Sequence, residues 1–365
     1  MDIEQTRTGS VSAYAPGRVE LLGNHTDYNE GVVLAAALDR GIKVSGDAHD
    51  DELVQVHSTR FGAAELKTSA LHPQTENRWA NYAFGVTKEL IDLGIPIRGF
   101  SAEVEGDLPI GTGLSSSAAF EVATALFLLK LFRRQLPRLE IAKACQRAEH
   151  RFVGVQSGLL DQVTSLFGRA DHAVFFDCRT ETIRTIPFPT GLAFVIADSG
   201  KNRELASGQY NLRREETRAA ARALGVRALR DLTLPQLAAH VGLPEQIYRR
   251  AKHVVEENQR VWRAVEFLKD GDGAGFGQLM NASHESSRHN FENSTSELDL
   301  LVSIAQRLPG TLGARLTGAG FGGAILILCE RRRAQLIAAE VSQRYFSATG
   351  IRAPAFVCGI ADGAA

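Results

Sequence analysis

Apolar and polar positions alternate over short stretches in the first hundred residues, the period of a half-buried strand. Val11–Tyr14, Lys43–Ala48, Leu53–His57 and Gly99–Glu105 carry this pattern, and Gly31–Asp39 is a run of small apolar residues. In Asn81–Leu93 the apolar positions recur at helical spacing and stop before Gly94 and Pro96, which predicts a helix. Ala118–Phe132 is apolar throughout except for Glu121, Thr124 and Lys130. It is too short and too charged for a bilayer span and reads as a buried helix. A further helix is expected over Arg138–Phe152, and short apolar strands over Ala173–Asp177 and Leu192–Ala197.

Beyond residue 200 the pattern changes to charged amphipathic helices at Glu204–Leu224, Glu245–Phe267 and Gly275–Arg288. A helix at Leu298–Gln306, a glycine loop at Gly318–Gly323, a strand at Ala324–Cys329, a helix at Arg332–Tyr345 and a strand at Ala355–Cys358 follow. That order reads as a split βαβ sandwich. The expected fold class is therefore α+β with two domains, residues 1–190 and 191–365, the last strand being free to return to the first. A chain of 365 residues suits this division.

Composition excludes several classes. Apolar residues make up 44% and charged residues 23%, a globular balance that rules out disorder. Lys plus Arg is 41 against 42 for Asp plus Glu, without the basic excess of a nucleic-acid or anionic-membrane binder. Cys145, Cys178, Cys329 and Cys358 are scattered with no CxxC pair, and the N-terminus lacks the layout of a signal peptide. A reduced, cytoplasmic, monomeric protein is expected.

Four segments have the chemistry of a site. Gly111-Thr112-Gly113-Leu114-Ser115-Ser116-Ser117 opens the apolar helix. Its glycines allow close backbone approach, and the helix N-terminus adds free N–H groups and about half a positive charge, which suits a di- or triphosphate. No Lys-Ser/Thr pair follows, so it is not a Walker loop; the plain alternative is a serine-capped helix. Gly23-Asn24-His25-Thr26-Asp27-Tyr28-Asn29 crowds donors and acceptors onto a turn, as a hydroxyl-rich ligand needs, although a well-capped polar turn would look the same. Asp161 follows Ser157-Gly158-Leu159-Leu160, with Glu149 upstream on a predicted helix; alone it would be a cap. Gly318-Ala319-Gly320-Phe321-Gly322-Gly323 crowds the entrance of a strand and by itself is a glycine turn. His284-Glu285 and His289 imitate a zinc-protease signature, but with histidines five apart and so about 140° apart on a helix they cannot share a metal.

Together these segments resemble the GHMP kinases and, among them, the galactokinase branch. Ala15-Pro16-Gly17-Arg18-Val19 and Gly23–Gly31 are similar to the sugar signature of that branch; Trp79-Ala80-Asn81-Tyr82, Leu205-Ala206-Ser207, Tyr210–Arg214 and Glu297-Leu298-Asp299 are similar to further segments. The resemblance implies an N-terminal domain like the second domain of ribosomal protein S5, a ferredoxin-like C-terminal domain, and a cleft between them. It implies ATP and Mg²⁺, and phosphorylation of the C1 hydroxyl of a galactose-type sugar. By match to the motifs, Asp161 and Arg18 are the catalytic pair. Asn24, His25, Thr26, Asp27, Gly158 and Tyr210 bind the sugar. Gly111–Ser117 with Ser58 and Trp79 bind ATP, and Ser117 and Glu149 hold the metal.

Phosphoryl transfer asks a protein mainly for positioning and cations, which is what this set supplies. One residue departs from the pattern: the branch usually has Glu where this chain has Asn24, so a relaxed preference at C6 of the sugar is expected. The alternatives are a kinase for galacturonate, N-acetylgalactosamine or L-arabinose, and a sugar sensor without turnover. The sensor is disfavoured by an intact Ser115-Ser116-Ser117-Ala118-Ala119.

Overall fold

The computed structural model describes residues 11–109, 111–201 and 206–365. The first half is a sheet of β1 (Val11–Leu22), β2 (Val32–Ala48), β3 (Leu53–Ser58), β4 (Gly62–Lys67), β5 (Phe100–Gly106), β6 (His172–Asp177) and β7 (Thr182–Pro187). The strands lie in the order β4-β3-β5-β2-β6-β7, and β1 pairs with β2. β3 and β5 run parallel; the other described pairs are antiparallel. Strand β2 is long enough to serve different neighbours along its length. Residues 42–48 pair with β5 and residues 32–35 with β6.

The run of small apolar residues in β2 has a simple cause: both faces are buried, so nothing in it need alternate. Val33, Ala35 and Val44 pack into a core with α1 (Asn81–Asp92), α2 (Ser116–Leu131), α3 (Arg138–Ala148) and α4 (Leu160–Phe167). Val32, Leu34, Ala36 and Leu38 face the other way into a second core that the two halves share.

The second half is a four-stranded antiparallel sheet of β8 (Leu192–Asp198), β9 (Thr311–Leu316), β10 (Ala324–Glu330) and β11 (Ala355–Cys358), in the order β11-β8-β10-β9. This is the split βαβ arrangement. Its helices are α5 (Ala206–Ala223), α6 (Leu234–Ala238), α7 (Glu245–Lys269), α8 (Gly273–Ser286), α9 (Ser296–Gln306) and α10 (Ala334–Thr349). Alternation along β8 and β10 divides their side chains. Val195, Ile325 and Ile327 pack against α9 and α10, whereas Phe194, Ile196, Leu326 and Leu328 join α7, α8 and β2 in the shared core.

The last strand does not return to the first sheet. β11 stays beside β8, because Ala355–Cys358 pairs with Ala197–Phe194. The segment after it returns instead. Ala361 donates to the Ala37 carbonyl at 3.0 Å, Gly363 to Gly168 at 2.8 Å, and Ala365 exchanges bonds with Tyr14 at 3.0 and 2.9 Å. Strands β4, β7 and β9 and the short helix α4 were not evident from periodicity. The helix expected over Arg138–Phe152 ends at Ala148 and continues as one π turn, Glu149–Val153. Residues 204 and 205 of the helix expected at Glu204–Leu224 lie outside the described residues, as does Leu205 of the resemblance. Among the described residues no helix is long and apolar enough to cross a membrane.

Candidate active site

β1 aims two charged side chains into the cleft between the halves. Arg18 and Glu20 are two residues apart and so share a face, and register shifts at Pro16/Arg18 and Glu20/Leu22 flank them. Such irregularities re-aim side chains at the end of a pairing. Gly17 makes the first of them workable. A Cβ there would lie 2.6 Å from the Leu114 carbonyl, so only glycine lets the Gly111–Ser117 loop lie against the strand. Arg18 N–H then donates to that carbonyl at 3.0 Å.

The Arg18 guanidinium joins two elements. Nε and Nη2 reach Asp161 Oδ1 at 2.7 and 2.6 Å, and Nη1 donates to the Gly113 carbonyl at 2.7 Å. Ser115 is held in the left-handed region at φ 57° and donates its hydroxyl to Asp161 Oδ2. A non-glycine residue in this conformation is strained and persists where its surroundings hold it. The Ser115 bond therefore fixes the loop to the first turn of α4, where Asp161 sits. Gly111 and Gly113, at φ 78° and 80°, let the loop curl ahead of α2.

A cleft of about 420 Å³ is lined by Arg18, Asp161, Gly111, Gly113, Ser115, Ser116 and Ser117 together with Asn24, His25, Asp27, Gly158, Tyr210 and Glu149. Asp27 is half-buried here, and its loss of hydration, opposed by the Tyr28 N–H and reinforced by Glu20 and Asp161, pushes its carboxyl up to about 7. Gly158 packs on it so closely that a Cβ would lie 1.9 Å from Asp27 Oδ2. His25 is neutral, its pKa lowered to about 3 by burial. Nε2 must donate to the Ala319 carbonyl at 2.9 Å, which leaves Nδ1 to accept the Tyr28 hydroxyl at 2.7 Å. Its ring also packs on Tyr210, 5.3 Å between centroids.

Glu149 begins the π turn, a feature that recurs at functional sites. Its carboxylate accepts from the Ser157 hydroxyl and, at 3.5 Å, from Gln162 Nε2. Burial, against the Ser157 bond, pushes its pKa up to about 7. Ser117 and Glu149 offer a hydroxyl and a carboxylate to one cleft. Among the described residues no group of three or more His, Cys, Asp or Glu could hold a metal. Such a sparse set of hard oxygen donors fits Mg²⁺, which keeps waters and takes the rest of its shell from phosphates.

A second cavity of about 240 Å³ opens beside the first and shares Ser116, Ser117 and Tyr82 with it. Ser58, Trp79, Phe61 and Phe120 line it, and Trp79 stacks on Phe61 and Phe120 at 5.8 and 6.2 Å. Among the described residues the buried Trp79 indole N–H has no partner. A flat aromatic slot reached from a phosphate-type loop suits a purine.

Three sequence-predicted site residues point elsewhere. The Thr26 hydroxyl donates to the carbonyls of Gly23 and Val32 at 2.8 and 2.7 Å and closes the turn. The Thr112 hydroxyl donates to Pro109, and the Leu114 side chain is in the shared core. These three shape the site from behind. Sequence reasoning missed Glu20 in the cleft, and it gave no role to Tyr82, Ser157 and Ala319, which stand in segments it singled out. It also missed the support from α7. Glu257 accepts from the N–H groups of Gly23 and Asn24 at 3.1 and 3.3 Å, His253 Nε2 bonds the Asn24 carbonyl at 3.1 Å, and Asn258 Oδ1 accepts from Val32 N–H at 2.9 Å. The zinc-protease imitation stays apart: the His284 side chain is buried against Asp299, whereas that of His289 is 66% exposed.

Comparison with known proteins agrees with this geometry. Residues 81–169 match the GHMP kinases N terminal domain, residues 4–46 the galactokinase galactose-binding signature, and residues 264–348 the GHMP kinases C terminal family. The chain is 44% identical over 359 residues to a galactokinase of Roseiflexus sp. (strain RS-1), covering 97% of this chain and 92% of that one. The crystal structure of Lactococcus lactis galactokinase complexed with galactose superposes with a TM-score of 0.94 at 33% identity, covering 98% and 95% of the two chains. The fold extends to Methanococcus jannaschii mevalonate kinase, with a TM-score of 0.70 at 19% identity over 98% of this chain and 100% of that one.

Proposed function

This chain belongs to the galactokinase family of the GHMP kinases, and from that membership we propose that it transfers the γ-phosphoryl group of ATP to the C1 hydroxyl of galactose. One observation carries the reading: Arg18 binds Asp161 and the glycine-serine loop at once, in a cleft that the sugar signature also lines. Asp161 takes the C1 hydroxyl proton as that oxygen attacks the γ-phosphorus, the bond to the β-phosphate oxygen breaks, and ADP leaves. Arg18 faces the charge that spreads over the transferring oxygens, the term that dominates such catalysis. The loop N–H groups and the N-terminus of α2 hold the phosphates, and the aromatic slot at Trp79 takes the adenine. Ser117 and Glu149 hold Mg²⁺, which when bound neutralises phosphate charge.

The test is a coupled ADP-release assay with galactose, galacturonate, N-acetylgalactosamine, L-arabinose and glucose, the product being identified by phosphorus NMR. Galactose 1-phosphate is the expected product. Sugar binding with no ADP release would favour the sensor, and faster turnover of another sugar would reassign the substrate.

The raised pKa of Asp27 gives an expected pH dependence. Asp27 is ionised above about 7 and can then accept from two hydroxyls, whereas below that it is protonated and loses acceptor capacity. Galactose affinity measured calorimetrically without nucleotide should therefore fall as pH drops below about 7, by at most about tenfold per unit for one proton. Asp27→Asn should bind more weakly with a flat profile. An unchanged acid limb in that variant would assign the proton to another group, such as Glu149.

A further inference from the structure

The cleft contains one carboxylate that neither the phosphoryl transfer nor the expected sugar contacts use. Glu20 projects from β1 into it and is 4% exposed. Among the described residues its side chain takes two hydrogen bonds. Oε1 accepts from Arg315 Nη2 at 3.1 Å, and Oε2 accepts a long contact from Asn24 Nδ2 at 3.4 Å. A carboxylate can accept about four, so part of its capacity faces the cleft. Burial raises its pKa, against the pull of Arg315 and Arg18.

Asn24 beside it makes three hydrogen bonds through its amide. Its other Nδ2 bond goes to the Gly318 carbonyl at 2.7 Å, and its Oδ1 accepts from Asn293 Nδ2 at 2.9 Å. It is a strut between the sugar turn and the glycine loop. Both of its N–H donors are taken, which leaves one lone pair on Oδ1, and its longest bond is the one to Glu20.

We infer that Glu20 is a specificity-determining residue, whose cleft-facing carboxylate accepts hydrogen bonds from sugar hydroxyls away from the reacting carbon and repels an anionic group placed there. The inference rests on the sugar-kinase reading above. It replaces the relaxed C6 preference expected from Asn24, because the charge missing at position 24 is present at position 20. A residue that served only to neutralise Arg315 would have no reason to face the cleft.

The test compares wild type with Glu20→Gln, which keeps the length of the side chain and an acceptor for Arg315. The readout is the ratio of kcat/KM for galactose to that for its 2-, 3-, 4- and 6-deoxy analogues and for galacturonate. Wild type should lose about tenfold to a hundredfold on the 4- or 6-deoxy sugar, the range for a charge-assisted hydrogen bond, and should reject galacturonate. Glu20→Gln should lose much less on that same analogue and gain at least about tenfold in relative galacturonate use. A uniform drop with every ratio unchanged would overturn the inference and leave Glu20 as packing for Arg315.

If Glu20→Gln does not fold, Glu20→Asn combined with Asn24→Glu returns a carboxylate to the neighbouring position and should keep the wild-type ratios. The wild-type panel alone is also decisive: tolerance of every deoxy sugar together with use of galacturonate would overturn the inference. Failure of the parent reading looks different, since no sugar would then release ADP from wild type.

Discussion

Asp161→Asn is expected to lower galactose phosphorylation by about 10²–10⁴, the usual contribution of a general base, while ATP binding stays near wild type. Asn is nearly isosteric but cannot take a proton. Its Oδ1 can still accept from Arg18, and its Nδ2 can donate to the Ser115 oxygen, because a hydroxyl accepts as well as donates. Both contacts can therefore survive while the base and its charge are lost. The bond from Arg18 to the Gly113 carbonyl does not involve Asp161 and keeps the phosphate loop in place. Single-turnover kinetics with nucleotide binding measured separately distinguishes the two effects. More than about a tenth of wild-type turnover in the variant would remove Asp161 from the base role.

The second large effect is expected at the metal. Glu149→Gln removes the charge beside the cation and should raise the Mg²⁺ requirement and lower turnover by more than Ser117→Ala, which takes away one neutral ligand from a largely aqueous shell. Galactose affinity should change much less in both, because neither side chain is among the expected sugar contacts Asn24, His25, Asp27, Gly158 and Tyr210. A Mg²⁺ titration of nucleotide binding, followed calorimetrically, provides a readout independent of turnover. Titrations matching wild type for both variants would show that the ligands are elsewhere.

How much of this was legible in the sequence depended on whether the signal was local. Ser115, Asp161 and Asn24 stand in contiguous motifs whose chemistry can be read without the fold. Glu20 does not. In Val19-Glu20-Leu21 it looks like the solvent face of an alternating strand, and only the second half of the chain, closing over β1, turns that face into a cleft floor. The same cause hid the polar row on α7. Arg250, His253, Glu257 and Asn258 read as the solvated face of an amphipathic helix, yet all four are buried because the sugar turn covers the last three, and Glu216 of α5 with residues 290–292 covers Arg250. β4, β7 and β9 were missed because residues such as Glu65, Arg184 and Arg315 interrupt their apolar positions. Thr26 shows the reverse error: a polar residue inside a ligand-like motif whose hydroxyl does no more than close the turn.

The return of residues 359–365 to the first sheet bears on how the protein is made. A ribosome delivers β1–β7 and α1–α4 long before it delivers the segment that bonds to Tyr14, Ala37, Ser165 and Gly168. Until then those backbone groups have only water as partner, and the shared core lacks the faces of β8 and β10. The nascent first half is therefore an unfinished body that must persist through synthesis of the second. Docking of the segment after β11 can therefore complete the first sheet only once the second half has been made.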